Sequence, residues 1–313
     1  MSVRLVFLGN DAWSVPSLDA IAAEPELDAA LVVTNPPRPA GRGADLRPTA
    51  VAIAATRLGI PLLETDGVRS AGTVQAIGAS RPEVIVVVAY GELLPTDLLD
   101  LPPLGAVNLH FSLLPRWRGA TPVQHAILHG DATTGVTVMR MDAGLDTGPV
   151  LTQLEEPIRA DDDAGSLGGR LADLGAMLLV GVLRRLPGGD VPARAQPSTG
   201  VTLAPVIPAV GRIVAWSREP AEIVRLVRAL APQPGATTTF RGSPMKVLSA
   251  AVADPPGAGA PHGAILEADR RGVLVAVADG AVRLLEVAPA GRRRMPAGDW
   301  ANGARFEPGE RLG

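Results

Sequence analysis

Asn108 and His110 stand two apart in the stretch NLHFSLLPRWRGATP, and positions two apart on a strand face the same way. A histidine can exchange a proton near neutral pH. An asparagine beside it offers an N–H₂ donor where an oxyanion forms during addition to a carbonyl. A second polar stretch, MDAGLDTGPVL, supplies Asp142 and Asp146. A carboxylate folded against His110 would orient the ring and stabilise its cation. Gly144 and Gly148 would let that stretch turn tightly. The plainer alternative is structural: a strand Asn-x-His can be packing, and DAG and DTG are ordinary turn and cap sequences.

Other chemistries find less support. The chain has no cysteine, which excludes disulfides, thiolate chemistry and Cys-ligated metal or iron–sulfur sites. No serine sits in a G-x-S-x-G turn, so no nucleophile is offered and direct transfer through a tetrahedral intermediate is favoured. His125 and His129 have a zinc-compatible spacing. Ala126 replaces the Glu of H-E-x-x-H, however, and no third ligand is evident, so packing or a surface position is expected and no metal. Two nearby carboxylates could also serve a glycosidase, a reading that needs a geometry the sequence does not supply. The stretch TNPPRPAGRGADLRP, 34–48, reads as a long loop without secondary structure. Its Arg38, Arg42 and Arg47 are suited to gripping phosphates, or simply to solvation.

The elements that must position these residues follow from periodicity. Val3–Leu8, Ala30–Thr34, Val84–Ala89, Ala106–His110 and Gly135–Met141 read as strands. Val15–Ala23, Pro48–Leu58, Val68–Ala79, Pro122–Gly130 and a long Gly165–Leu186 read as helices. VIVVV at 84–88 is apolar on both faces, as a covered central parallel strand must be. The alternation predicts a doubly wound parallel sheet, with ligands beyond the carboxyl ends of its strands. The first turn, GNDAW, lacks G-x-G-x-x-G, which disfavours a dinucleotide in this Rossmann-like sheet. Pro187–Pro208 reads as a linker. Glu219–Leu230 reads as a helix, and five short strands between 237 and 287 predict a small β-barrel. The division expected is 1–187, linker 188–208, and barrel 209–313.

Hydrophobic residues are 47% and charged residues 19%, enough to bury a core. The net charge of −3 hides an asymmetry: 14 Lys and Arg against 10 Asp and Glu in residues 205–313, but 15 against 22 before them. A basic C-terminal part suggests a polyanionic partner, or merely a solvated surface. No secretory signal is read at MSVRLVFLGND and no apolar run of about 18 residues, so a soluble cytoplasmic protein without a membrane is expected.

Seven blocks in order resemble the methionyl-tRNA formyltransferases along essentially the whole chain. They are VFLGNDAWSVPSLDAI, RPAGRG, VVVAYGELLP, NLHFSLLPRWRGATPVQHAILHGD, TGVTVMRMDAGLDTGPVL, RIVAWSREPAEIVRLVRALAPQPGA and AGRRRMPAGDWANGARFEPGERL. The central blocks are shared with other enzymes that use 10-formyltetrahydrofolate, including those acting on glycinamide ribonucleotide and sugar nucleotides. The RPAGRG loop and the C-terminal barrel around Trp216 select the tRNA enzyme. The resemblance implies a Rossmann-like formyltransferase domain followed by an OB-like barrel. It implies Asn108 at the formyl oxygen, His110 as the proton-transfer or electrostatic group, and Asp146 setting the state of His110. It implies a folate crevice lined by Tyr90, Gly91, Glu92, Leu93, Leu94 and Pro95, by the turn Ser112, Leu113, Leu114 and Pro115 with a cis bond before Pro115, and by Asp142. Arg38, Arg42 and Arg47 would enter the acceptor end of initiator methionyl-tRNA, the barrel would hold its backbone, and the enzyme would be a monomer. Three positions depart from the pattern: Pro37 stands for an Asp, Gln233 for a Trp, and APVIP lacks a linker base. Two rivals are a formyltransferase for a sugar nucleotide or other small amine, and a non-catalytic RNA-binding protein on the same fold.

Overall fold

In the computed structural model, residues 2–40, 45–254, 259–307 and 309–313 are described. The chain divides into two compact units. The first holds residues 1–122, 133–157 and 168–205, and the second holds 123–132, 158–167 and 206–313. In chain order the elements up to the long helix are β1 (Val3–Gly9), α1 (Val15–Ala23), β2 (Leu27–Thr34), β3 (Arg38–Ala40), β4 (Asp45–Arg47), α2 (Ala50–Leu58), β5 (Leu62–Glu64) and α3 (Ala71–Ala79). They continue with β6 (Val84–Val88), α4 (Thr96–Leu99), β7 (Ala106–His110), α5 (Pro122–Leu128), β8 (Thr133–Arg140), β9 (Val150–Pro157) and α6 (Ala164–Arg185).

The first unit is built on a seven-stranded sheet of order β5-β2-β1-β6-β7-β8-β9. The five strands from β5 to β7 are parallel. Every residue of β6 is buried, as its unbroken apolar run requires. Strand order reverses between β1 and β6, whose carboxyl ends meet at Gly9 and Val88, so a crevice opens there by topology. The sheet is not the wholly parallel one expected from the sequence: β8 and β9 run antiparallel at one edge. The polar tail of β9, QLEEP, hides its strand character. Capping explains the helix starts. Thr49 accepts the Ala52 N–H at 3.0 Å, and Ser70 accepts that of Thr73 at 3.1 Å.

The stretch 34–48 is not a structureless loop. β3 and β4 form an antiparallel hairpin that sets Arg38 opposite Arg47. Arg42 lies outside the described residues. Nor is 188–205 an open linker: it belongs to the first unit, bridging Val150 to Arg194 and Arg118 to Leu203. One helical span, Ala164–Gly188, is long and apolar enough to cross a membrane by composition, contrary to the sequence reading. Half of its most apolar stretch is buried.

The second unit contains α7 (Pro220–Leu230), β10 (Ala236–Phe240), β11 (Ser243–Ala253), β12 (Ile265–Asp269), β13 (Gly272–Val277), β14 (Gly280–Pro289), β15 (Met295–Pro296) and α8 (Ala297–Ala304). Its antiparallel sheet has the order β10-β11-β14-β13-β12, with β15 on β14. Leu312 bridges Phe240 at the end of β10 and Arg311 bridges Ala264 ahead of β12, so one short segment joins both edges and closes a barrel. Trp216, Ile223, Val227 and Leu284 fill the interior, and the Trp216 indole donates to Thr238 Oγ1 at 3.1 Å.

Candidate active site

β7 carries Asn108 and His110 to the carboxyl end of the sheet, hydrogen-bonded between β6 and β8. Both side chains are nearly buried, 8% and 5% exposed. The chain then turns through Ser112–Pro115, with a cis bond between Leu114 and Pro115. This turn is locked from below. The Thr137 hydroxyl donates to the Ser112 carbonyl at 2.6 Å, and Gln153 donates to the Leu114 carbonyl and to Thr137 Oγ1, both at 2.9 Å. Ser112 Oγ donates to the Arg116 carbonyl at 2.6 Å, while Leu114 packs on Met139 and Val150. Thr137 of β8 and Gln153 of β9, with Ser112 and Leu114 of the turn itself, thus hold its shape.

Trp117 comes next, at φ +62°, with the Arg116 guanidinium 4.4 Å from its ring centre. Its carbonyl meets His110 Nε2 at 2.8 Å. A carbonyl only accepts, so this ring nitrogen carries the hydrogen. The other nitrogen, Nδ1, lies 3.6 Å from Asp146 Oδ2. That is too long for a direct hydrogen bond but within ion-pair reach. The same Asp146 oxygen accepts the Gly119 N–H at 2.8 Å.

Asp146 itself has φ +52°, a left-handed conformation that costs a side-chain-bearing residue about 1 kcal/mol. The glycines around it serve close approach: a Cβ at Gly148 would sit 1.9 Å from the Arg140 carbonyl oxygen. Asp142 does a different job from Asp146. Its Oδ1 accepts from the Gly144 N–H at 3.0 Å and from Thr147 Oγ1 at 2.6 Å, the turn-forming pattern that DAG suggested.

A third segment, which sequence reasoning passed over as linker, completes the cluster. Gln196 donates to the carbonyls of Asp146 and Gly148, each at 2.8 Å, and accepts from Arg118 Nε at 3.1 Å and Arg118 Nη2 at 2.7 Å. Thr202 Oγ1 accepts the Trp117 N–H at 2.9 Å, and the Thr202 carbonyl accepts that of Arg118 at 2.9 Å. A lone Gln in a Pro- and Ser-rich stretch gives no periodic or compositional signal.

Tyr90–Pro95 follows β6. Asn10 Nδ2 donates to the Tyr90 carbonyl, and its Oδ1 accepts from Thr34 Oγ1 at 2.9 Å and the Asn35 N–H at 2.8 Å, tying three strand ends. The Tyr90 and Leu94 side chains lie in the core beside Val6, Leu8 and Val33, while Gly91 and Leu93 are exposed. Glu92 accepts the Val68 N–H at 3.3 Å. Burial, then the nearby Glu92 charge, pushes the Tyr90 phenol up to about 12. Among the described residues no three His, Cys, Asp or Glu gather as a metal ligand set. The His125 and His129 rings stack at 5.9 Å, with His129 Nδ1 on the His125 carbonyl at 2.9 Å.

Residues 3–183 match the family described as formyl transferase, and residues 207–305 match the formyl transferase C-terminal domain. The chain is 43% identical to the methionyl-tRNA formyltransferase of Roseiflexus castenholzii over 313 residues, covering all of both chains. HypX from Aquifex aeolicus, solved with tetrahydrofolic acid, superposes with a TM-score of 0.66 at 18% identity, over 99% of this chain and 49% of that one. WlaRD, a sugar 3N-formyl transferase, gives a TM-score of 0.64 at 15% identity, over 94% of this chain and all of that one. These two structures share the fold.

Proposed function

Because the chain belongs to the methionyl-tRNA formyltransferases and formylates the methionine amino group of initiator methionyl-tRNA, we propose that Asn108, His110 and Asp146 carry that transfer. The formyl donor is 10-formyltetrahydrofolate, held at the carboxyl ends of β1, β6 and β7. The Tyr90–Pro95 backbone and the Ser112–Pro115 turn shape its crevice, and Asp142 keeps the neighbouring loop in form. The neutral amine attacks the formyl carbon. The carbonyl oxygen becomes an oxyanion, and Asn108 donates to it, a contact typically worth ~3–4 kcal/mol in the transition state. The intermediate collapses as the bond to the folate nitrogen breaks. The amine loses one proton, and the leaving nitrogen gains one.

The placement of His110 supports the electrostatic one of its two roles. The Nε2 hydrogen goes to the Trp117 carbonyl and Nδ1 faces the Asp146 carboxylate, so a proton taken on Nδ1 would make the ring a cation held between them. It then offers positive charge to the intermediate, and Asp146 places the water or proton path. No step calls for a metal. The first unit is the catalytic one. The hairpin with Arg38 and Arg47, together with the sequence-adjacent Arg42, engages the acceptor end of the tRNA. The second unit holds its backbone through the excess of basic residues in 205–313. The enzyme acts as a monomer in the cytoplasm.

The observation that carries this reading is His110 fixed by Trp117 and Asp146 one strand pitch from Asn108. The test is formylation of charged initiator tRNA with 10-formyltetrahydrofolate, with a small amine such as an amino-sugar nucleotide as the control acceptor. Asn108→Ala is expected to lower turnover ~10²–10³-fold and His110→Ala ~10²–10⁴-fold, with tRNA affinity kept. Near-normal turnover in either variant removes that residue from the mechanism. Faster formylation of the small amine than of the tRNA would favour the small-amine alternative.

A further inference from the structure

We propose that Gln196 is a positioning residue for the transfer: it clasps the Asp146 loop to the Arg118 turn and so sets the geometry in which His110 works. This rests on the reading of His110 and Asp146 given above. A glutamine side chain offers two N–H donors and an oxygen with two lone pairs. Gln196 uses all four. Its amide donates to the Asp146 and Gly148 carbonyls, and its oxygen accepts both Nε and Nη2 of Arg118. A residue saturated in this way by its own protein has nothing left for a substrate. It acts through what it holds.

What it holds are the two partners of the His110 ring. Asp146 sits in a left-handed conformation that needs support, and Gln196 takes its carbonyl. Arg118 lies between Trp117, whose carbonyl receives His110 Nε2, and Gly119, whose N–H holds the Asp146 carboxylate. The two loops are therefore joined twice, by Gly119 to the carboxylate and by Gln196 to the backbone behind it. Without the second tie, Asp146 is free to rotate about the first, and the 3.6 Å approach to Nδ1 is no longer fixed. A solvated linker residue would show one or two of these bonds. Four convergent ones on both walls of a charged site mark an orienting group.

The test uses the full chain, charged initiator tRNA and 10-formyltetrahydrofolate. Gln196→Ala should lower kcat ~10–100-fold, by analogy with the loss of groups that orient metal ligands, with KM for both substrates within about twofold. The pH profile of kcat should shift or broaden, since Asp146 no longer holds His110 in one setting. Gln196→Glu should fare no better, because a carboxylate cannot donate to the two carbonyls. Gln196→Met keeps the volume and serves if the alanine variant does not fold. In the double variant with Asp146→Asn, loss of Gln196 should add less than about twofold to the loss from Asp146→Asn alone. Wild-type kcat and pH profile in the folded Gln196 variants, or losses that multiply in the double variant, would overturn the proposal while leaving the site reading intact. Wild-type turnover in Asp146→Asn alone would sink the site reading and this inference with it.

Discussion

At the residue scale, His110 shows how little of a site lies in its named side chains. Its two ring partners are a backbone carbonyl and a carboxylate on another loop, and both sit at positive φ. The Asn-x-His spacing on a strand was readable because strand periodicity alone puts both residues on one face. The carboxylate was readable only as one of two, since Asp142 and Asp146 look alike in sequence. Geometry separates them: Asp142 closes a turn, and Asp146 reaches the ring. Tyr90 makes a residue-scale prediction of its own. It is the one tyrosine in the chain, its hydroxyl is buried with no hydrogen-bond partner among the described residues, and burial pushes it up to about 12 from an ordinary 10.0. Absorbance at tyrosinate wavelengths should therefore show no ionisation near pH 10 in the native protein, and should show it there in denaturant. Between these two values the folded state holds the proton that the unfolded state releases, so stability should fall as pH rises from about 10 to 12. A native midpoint near 10 would contradict the burial.

At the element scale, the hairpin β3–β4 is the clearest case of structure beyond the sequence pattern. Arg38 and Arg47 face each other across its strands, and like charges so placed repel by several tenths of a kcal/mol in the free protein. A phosphate bound between them would reverse that sign. Arg38→Ala with Arg47→Ala is expected to raise KM for charged tRNA, to reduce the salt dependence of tRNA binding by a slope of about 1–2, and to leave the folate KM alone. An unchanged salt slope would make the hairpin a plain surface feature. The Pro and Gly in 34–48 masked these strands, since each is only three residues long. β9 was masked by its polar tail and α8 by its glycines. The long apolar strands and the amphipathic helices were legible because burial on one face or two writes itself into periodicity. Short or solvent-facing elements leave no such record.

At the scale of the whole molecule, each unit is closed by a segment far along the chain from the parts it joins. In the second unit that segment is Arg311–Leu312, between the edges of the barrel. Leu312 is 2% exposed, so Leu312→Ala should cost ~2–4 kcal/mol and lower the denaturation midpoint reported by the emission of Trp216 and Trp300. A loss below about 1 kcal/mol would mean that the barrel holds without its clasp. In the first unit the closing segment is 196–205, which composition marks as linker. A linker and a strap share the same Pro, Gly and Ser content, and differ only in what their backbone meets. The strap also puts the birth of the enzyme in order. Gln196 leaves the ribosome 50 residues after Asp146, a delay of roughly 3–10 s at ordinary synthesis rates. During that interval the nascent chain already owns Asn108, His110 and Asp146 but lacks the piece that ties the Asp146 loop to Arg118.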